Sequence, residues 1–362
     1  MKKTITLFLL ILCVQISEAQ NRKLDSLNIL ISRAASDTER IKLKLSKVNL
    51  LNRINIDSSI AFTVKTLERT GIDYYNMWEF ELRLGLIYNY AFKGNYKAAA
   101  DQIDYLQNYI RASEDSMNYG TLYSSRGLLY GMQSKYDSSI LYYEKAIPIY
   151  ERYGTSIQLG STYSNNAIGY QQISNFPMAL FYFQKSLKVS EENNNEVQQA
   201  YSTLNIANTY SNMGDSVRAE IAFLKALKLA EKLKLIKVEL YVYTNLSSQY
   251  IKQEKWQKAY ESALKASGIG GSMGDQGIEA ASLSKAAISL TMLNEPEKAI
   301  KIAEKSIAVA DSSGQPFNIS QANASMGFAF RYMKKWAEAI PYYEKSFSAV
   351  EDADIYIQRI SG

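Results

Sequence analysis

Six polar side chains fall at intervals of forty residues: Ser125, Asn165, Asn205, Asn245, Lys285 and Ser325. A carboxamide carries a donor and an acceptor on one planar group. Asn165, Asn205 and Asn245 can therefore each pair with a backbone N–H and C=O, whatever side chain stands beside them. Repeated at a constant stride, such groups suit an extended peptide. They also suit hydrogen bonds to a neighbouring element, because buried amides usually find partners within the chain. Both uses stay open at this level.

Little else in the chain could do chemistry. It has no histidine, which excludes a Ser-His-Asp or Cys-His triad, an imidazole base and a His-ligated zinc. Its single cysteine, Cys13, lies in a segment expected to be removed, leaving no disulfide, thiol nucleophile or thiolate site. Gly268-Ile-Gly270-Gly271-Ser-Met-Gly274 departs from the G-x-G-x-x-G spacing and reads as a linker. Paired carboxylates could hydrolyse glycosides without histidine, but no Asp/Glu pair stands out from the charged surfaces. No catalytic residue, metal ligand or cofactor is expected.

The same stride runs through the apolar pattern. Small residues stand at Ser59, Ala99, Ser139, Ala179, Ala219, Ala259, Ala299 and Ala339. Nine positions before each comes Leu50, Tyr90, Tyr130, Tyr170, Tyr210, Tyr250, Leu290 or Phe330. Each unit reads as two amphipathic helices. In Ser202 to Lys232, apolar residues recur at helical spacing on both sides of Gly214-Asp215. The small residue sits where two helices cross closely, and Asp57, Asp137 and Asp215 are placed to cap the second helix.

At the N-terminus, Lys2 and Lys3 precede an apolar run from Ile5 to Val14, with small residues at Ser17 and Ala19 before Gln20. This is the pattern of a secretory signal peptide over 1–19. Once it is removed, a net charge of +5 becomes +4, too dispersed for a nucleic-acid footprint. No later apolar stretch approaches membrane-spanning length. The mature product is expected to be secreted across the inner membrane, to the periplasm or the exterior.

The repeat resembles the tetratricopeptide repeat. In the third unit the family's small positions are Gly127, Ser139 and Ala146, and its aromatic positions Tyr130, Tyr136 and Tyr143. In the fourth they are Ala167, Ala179 and Ser186 with Tyr170, Phe176 and Phe183. The resemblance implies an all-α fold, a right-handed superhelical α-solenoid of about eight helix-turn-helix repeats over 41–350. A capping helix over 20–40 precedes them, and 351–362 begins another helix or marks a truncated end. It further implies that the first helices line a concave groove, where asparagines at the ladder position hold a ligand's backbone. Groove residues are then Asn165, Asn205 and Asn245 with Tyr201, Tyr241, Asn208, Gln171, Gln172, Asn212 and Lys252. The Lys/Arg clamp of another groove type is missing, because its positions hold Ser124, Ser164, Leu204, Thr244 and Ser284.

The expected function is that of a non-enzymatic exported scaffold binding a peptide or protein segment. An alternative is a sensory module. The array also resembles the extracytoplasmic input regions of bacterial sensor histidine kinases and related regulators, without their membrane helix and signalling domain. A third reading is self-association through the last repeat.

Overall fold

The computed structural model describes residues 22–68, 77–110 and 116–361, with residues 77, 116 and 352–361 described by their backbone alone. The signal peptide expected over 1–19 lies outside them. No strand occurs among the described residues.

The chain divides into two compact units, and the boundary falls between Ile173 and Ser174. The first holds α1 (22–33), α2 (Asp37–Ile54), α3 (Ile56–Glu68), α4 (Met77–Phe92), α5 (Tyr96–Ile110), α6 (Ser116–Met132), α7 (Tyr136–Tyr153) and α8 (Ser156–Gln172). The second holds α9 (Phe176–Glu192), α10 (Glu196–Asn212), α11 (Ser216–Leu233), α12 (Ile236–Lys252), α13 (Trp256–Met273) and α14 (Gln276–Met292). It ends with α15 (Pro296–Ser313), α16 (Pro316–Tyr332) and α17 (Trp336–Ser361). Within each unit, consecutive helices pack on one another.

The stride comes from the turns. Ser134, Ser174, Gly214, Glu254, Asn294 and Lys334 have positive φ, and so do Asn194, Lys234, Gly274 and Gly314. From Ser174 to Lys334 the backbone therefore takes one left-handed residue every twenty positions. At most of these turns the next N–H reaches back five residues, as from Asp215 to the Tyr210 carbonyl at 2.9 Å, and satisfies a carbonyl the helix end leaves open. Equal helices with equal turns yield the forty-residue period.

The small-residue column marks the crossings. All eight side chains from Ser59 to Ala339 are buried. Ser139 donates to the Gly127 carbonyl at 2.7 Å, so the two backbones of that pair lie nearly in contact. At Gly127 an added Cβ would come within 3.0 Å of the Tyr143 ring. Ala219 is wholly buried against Phe223, Ala207 and Ala226. Ala219→Leu is accordingly expected to cost about 1–3 kcal/mol through overpacking, while Lys228→Leu, at an exposed position, stays within about 0.5 kcal/mol. Urea denaturation of the two variants checks this, and equal midpoints would refute the assigned register.

Two local expectations are corrected. Asp215 caps α11 by accepting from the Arg218 N–H at 3.0 Å. The matching position before α3 is Asn55, which accepts from the Ser58 N–H at 2.8 Å. Asp57 and Asp137 instead lie in the first turns of α3 and α7, where a carboxylate meets the positive end of the helix without capping it. Gly268, Gly270 and Gly271 are no linker. They lie inside α13, and only Gly274 forms the turn. A Cβ on Gly270 would come within 3.1 Å of the Glu279 backbone nitrogen, and one on Gly271 within 2.9 Å of the Glu279 carboxylate. The missing side chains let α14 approach.

Candidate functional site

Even-numbered helices from α2 to α8 touch their even-numbered neighbours within the first unit, and α10 to α16 do so within the second. Odd-numbered helices of the repeats make no such contacts among the described residues. The even helices thus form the inner layer of each unit, and the polar ladder lies on them.

The ladder's ends are closed. Ser125 and Ser325 are buried, and each donates to its own helix backbone, to the Thr121 and Ala322 carbonyls at 2.8 Å. The middle stays half-buried. In the first unit Asn165 lines a cleft of 240 Å³ whose apolar walls include Leu128, Met132 and Ile168. Its side chain lies near the Tyr143 hydroxyl. Burial pushes that phenol above its usual pKa, nearby Tyr88 adds to the rise, and the polar Asn165 amide opposes it. Gln172 borders the same cleft, while Gln171 is half-buried beside it. Glycines open the cleft: a Cβ on Gly169 would come within 2.9 Å of Ile140, and one on Gly131 within 3.2 Å of Ser139.

In the second unit, Tyr201, Asn205, Asn208 and Asn212 fall on one stripe of α10, and Tyr241, Asn245 and Lys252 on the matching stripe of α12. Tyr201, Tyr241, Asn212 and Lys252 are exposed. Asn245 Nδ2 donates to Asn208 Oδ1 across the two helices at 2.8 Å. The pair keeps an acceptor on Asn245 and the donors of Asn208 for another molecule. The Asn205 carboxamide has no hydrogen-bond partner among the described residues.

The fourth ladder position that stays available is Lys285, a residue outside the expected groove set. Its ammonium reaches the Thr244 carbonyl at 3.4 Å. Burial lowers its pKa below the ordinary lysine value. Its place in the ladder was legible, but its burial was not. Among the described residues no group of His, Cys, Asp and Glu could hold a metal, and no helix is long and apolar enough to cross a membrane.

No protein-family model and no curated protein matches the chain. Solved structures do match. The apo form of RapI superposes with a TM-score of 0.57 at 18% identity, over 76% of this chain and 99% of that one. A Rap protein complexed with competence and sporulation factor gives 0.56 at 13%, over 87% and 98%. A signal transduction ATPase from Pyrococcus horikoshii with a tetratricopeptide repeat sensor gives 0.65 at 18%, over 89% of this chain and 55% of that protein. At such identities the likeness bears on backbone path alone, and that path agrees with the spacing of small residues, aromatics and turns. The chain folds as a tetratricopeptide-repeat α-solenoid.

Proposed function

We propose that the protein is a non-enzymatic, exported scaffold that holds an extended peptide or protein segment along the inner helices of its second unit. The Asn245–Asn208 pair carries this reading. It presents one free acceptor and a free amide side by side on a half-exposed surface, which matches the C=O and N–H of a backbone in any sequence context. The Rap protein solved with competence and sporulation factor lends support, as a similar fold in complex with a factor. A random peptide library panned on the full chain and on an Asn165/Asn205/Asn245→Ala variant tests the proposal. Peptides retained by the first and lost by the second are expected, and equal retention rejects the amides as the site.

A sensory role is a second reading, favoured by likeness to the repeat sensor of the Pyrococcus ATPase and to the quorum sensor NprR of B. thuringiensis, the latter at a TM-score of 0.54 and 14% identity over 86% of this chain and 97% of that one. In-frame DNA beyond codon 362 that encodes an apolar helix and a kinase segment would favour it.

Self-association has its own observation. On α17, Trp336, Ile340, Phe347 and Val350 are 59%, 54%, 72% and 41% exposed at helical spacing. At the same register on α7, Ile140 and Ile147 are each 7% exposed, because α8 packs on that helix. An exposed apolar stripe of this kind suits an interaction surface, and we propose a second copy of the chain as its occupant. Light scattering of the chain from Gln20 onward should give a dimer or larger species, and Phe347→Glu should return it to monomer. A wild-type monomer at high concentration would refute the assignment.

A further inference from the structure

We infer that Lys285 is the anchor for an acidic side chain, so that the segment held along α10, α12, α14 and α16 carries an Asp or Glu at the position facing it. The inference rests on the peptide-binding reading and adds a ligand class to it.

The ladder passes from amide to ammonium between α12 and α14. A neutral ladder residue can serve the ligand's backbone, but a cation withdrawn from water calls for a counter-charge. None is present: no carboxylate lies within ion-pair distance of Lys285 among the described residues, and its single close partner is the Thr244 carbonyl at a long 3.4 Å. An ammonium has three donors, so the structure leaves most of its hydrogen-bonding capacity unused. Thr244 adds a second unspent donor, for its hydroxyl is buried without a hydrogen-bond partner. One residue thus supplies the carbonyl that steadies the ammonium and a hydroxyl able to meet a second carboxylate oxygen after a side-chain rotation.

The surroundings have the matching sign. The exposed residues of α12 include Lys237 and Lys252, on either side of Asn245. The only acids in these four helices are Glu196, Glu239 and Glu279. Glu196 and Glu279 are engaged by Lys232 of α11 and Lys305 of α15, which draws their charge toward the outer helices. Burial depresses the Lys285 pKa with no carboxylate to restore it, and an arriving acid would restore it. A purely structural residue here would need no charge, and methionine would fill the same volume.

Panning of a random peptide library on the full chain, on Lys285→Met and on Lys285→Arg tests this. Peptides selected on the wild type should share an Asp or Glu at one position. Changing that residue to Asn or Gln in a synthetic copy should weaken wild-type binding by about tenfold or more, the scale of one charge-assisted hydrogen bond. The same change should alter binding to Lys285→Met by less than about twofold, and Lys285→Arg should keep the preference. Lys285→Met should melt at or above the wild-type temperature, since it removes an unpaired buried cation, so its altered selectivity is not unfolding. Retained peptides with no acidic preference, or an equal amide penalty on wild type and Lys285→Met, overturn the Lys285 inference. If those peptides are still lost on the triple asparagine variant, the backbone-binding reading stands without it. No peptide retained by the wild type overturns both.

Discussion

Phe223→Ala lowers the stability of the second unit by about 3–5 kcal/mol, the range for truncating a fully buried aromatic. Phe223 is wholly buried, and its ring lies among Leu204 and Ala207 of α10, Ala219 and Ala226 of its own helix, and Val238 of α12. It therefore joins two successive helix pairs. The neighbours that would have to close the gap are mostly alanines, which have no side-chain length to move into it, so the cavity term remains nearly whole. In a repeat array each pair is supported chiefly by its neighbours, and the damage should concentrate near the gap. Urea denaturation measures the loss, and hydrogen exchange should show α10 to α12 losing protection first. Phe181, 47% exposed on α9, supplies the comparison, with Phe181→Ala within about 0.5 kcal/mol of wild type. Similar costs at both sites would mean that the helix pairs do not meet as described.

The Asn165/Asn205/Asn245→Ala variant is expected to lose more than about a hundredfold in affinity for a library-selected peptide held by the second unit, near 3 kcal/mol for the several backbone hydrogen bonds, roughly 0.5–1.5 kcal/mol each, that Asn205 and Asn245 supply there. All three amides are half-buried on even helices, so replacing them removes few packed atoms. One of them also bonds within the protein, Asn245 to Asn208, and Asn165 lies beside the buried Tyr143. The variant should therefore be somewhat less stable while keeping its helical circular dichroism. Asn205→Ala alone separates the two effects, because that amide has no internal partner among the described residues. Binding should fall with little change in melting temperature. Loss of binding only in variants that also melt early would point to stacking as the ladder's purpose.

The helix pairs were legible because their determinants are local and periodic. Ala219, Tyr210 and the Gly214 turn lie within ten residues of one another, and their counterparts repeat at a fixed stride. The caps were legible only at Asp215, since a shift of two residues turns a capping carboxylate into a first-turn one, as at Asp57 and Asp137. Gly268 to Gly271 misled because glycine signals a loop far more often than a close helix approach. The reason for Gly270 and Gly271 lies in Glu279 of the next helix, which no local pattern reveals.

What the sequence determined by itself was the all-helical repeat and the face on which each ladder residue stands, because helical spacing and stride are properties of a single chain. The tertiary structure decided which of those polar groups remain free. Ser125 and Ser325 are turned into their own helices, Asn245 is shared with Asn208 on the preceding inner helix, and Lys285 is withdrawn from water. Those outcomes depend on how deeply neighbouring helices bury each position and which partner atoms they bring within about 3 Å, and side chains distant in the sequence set both.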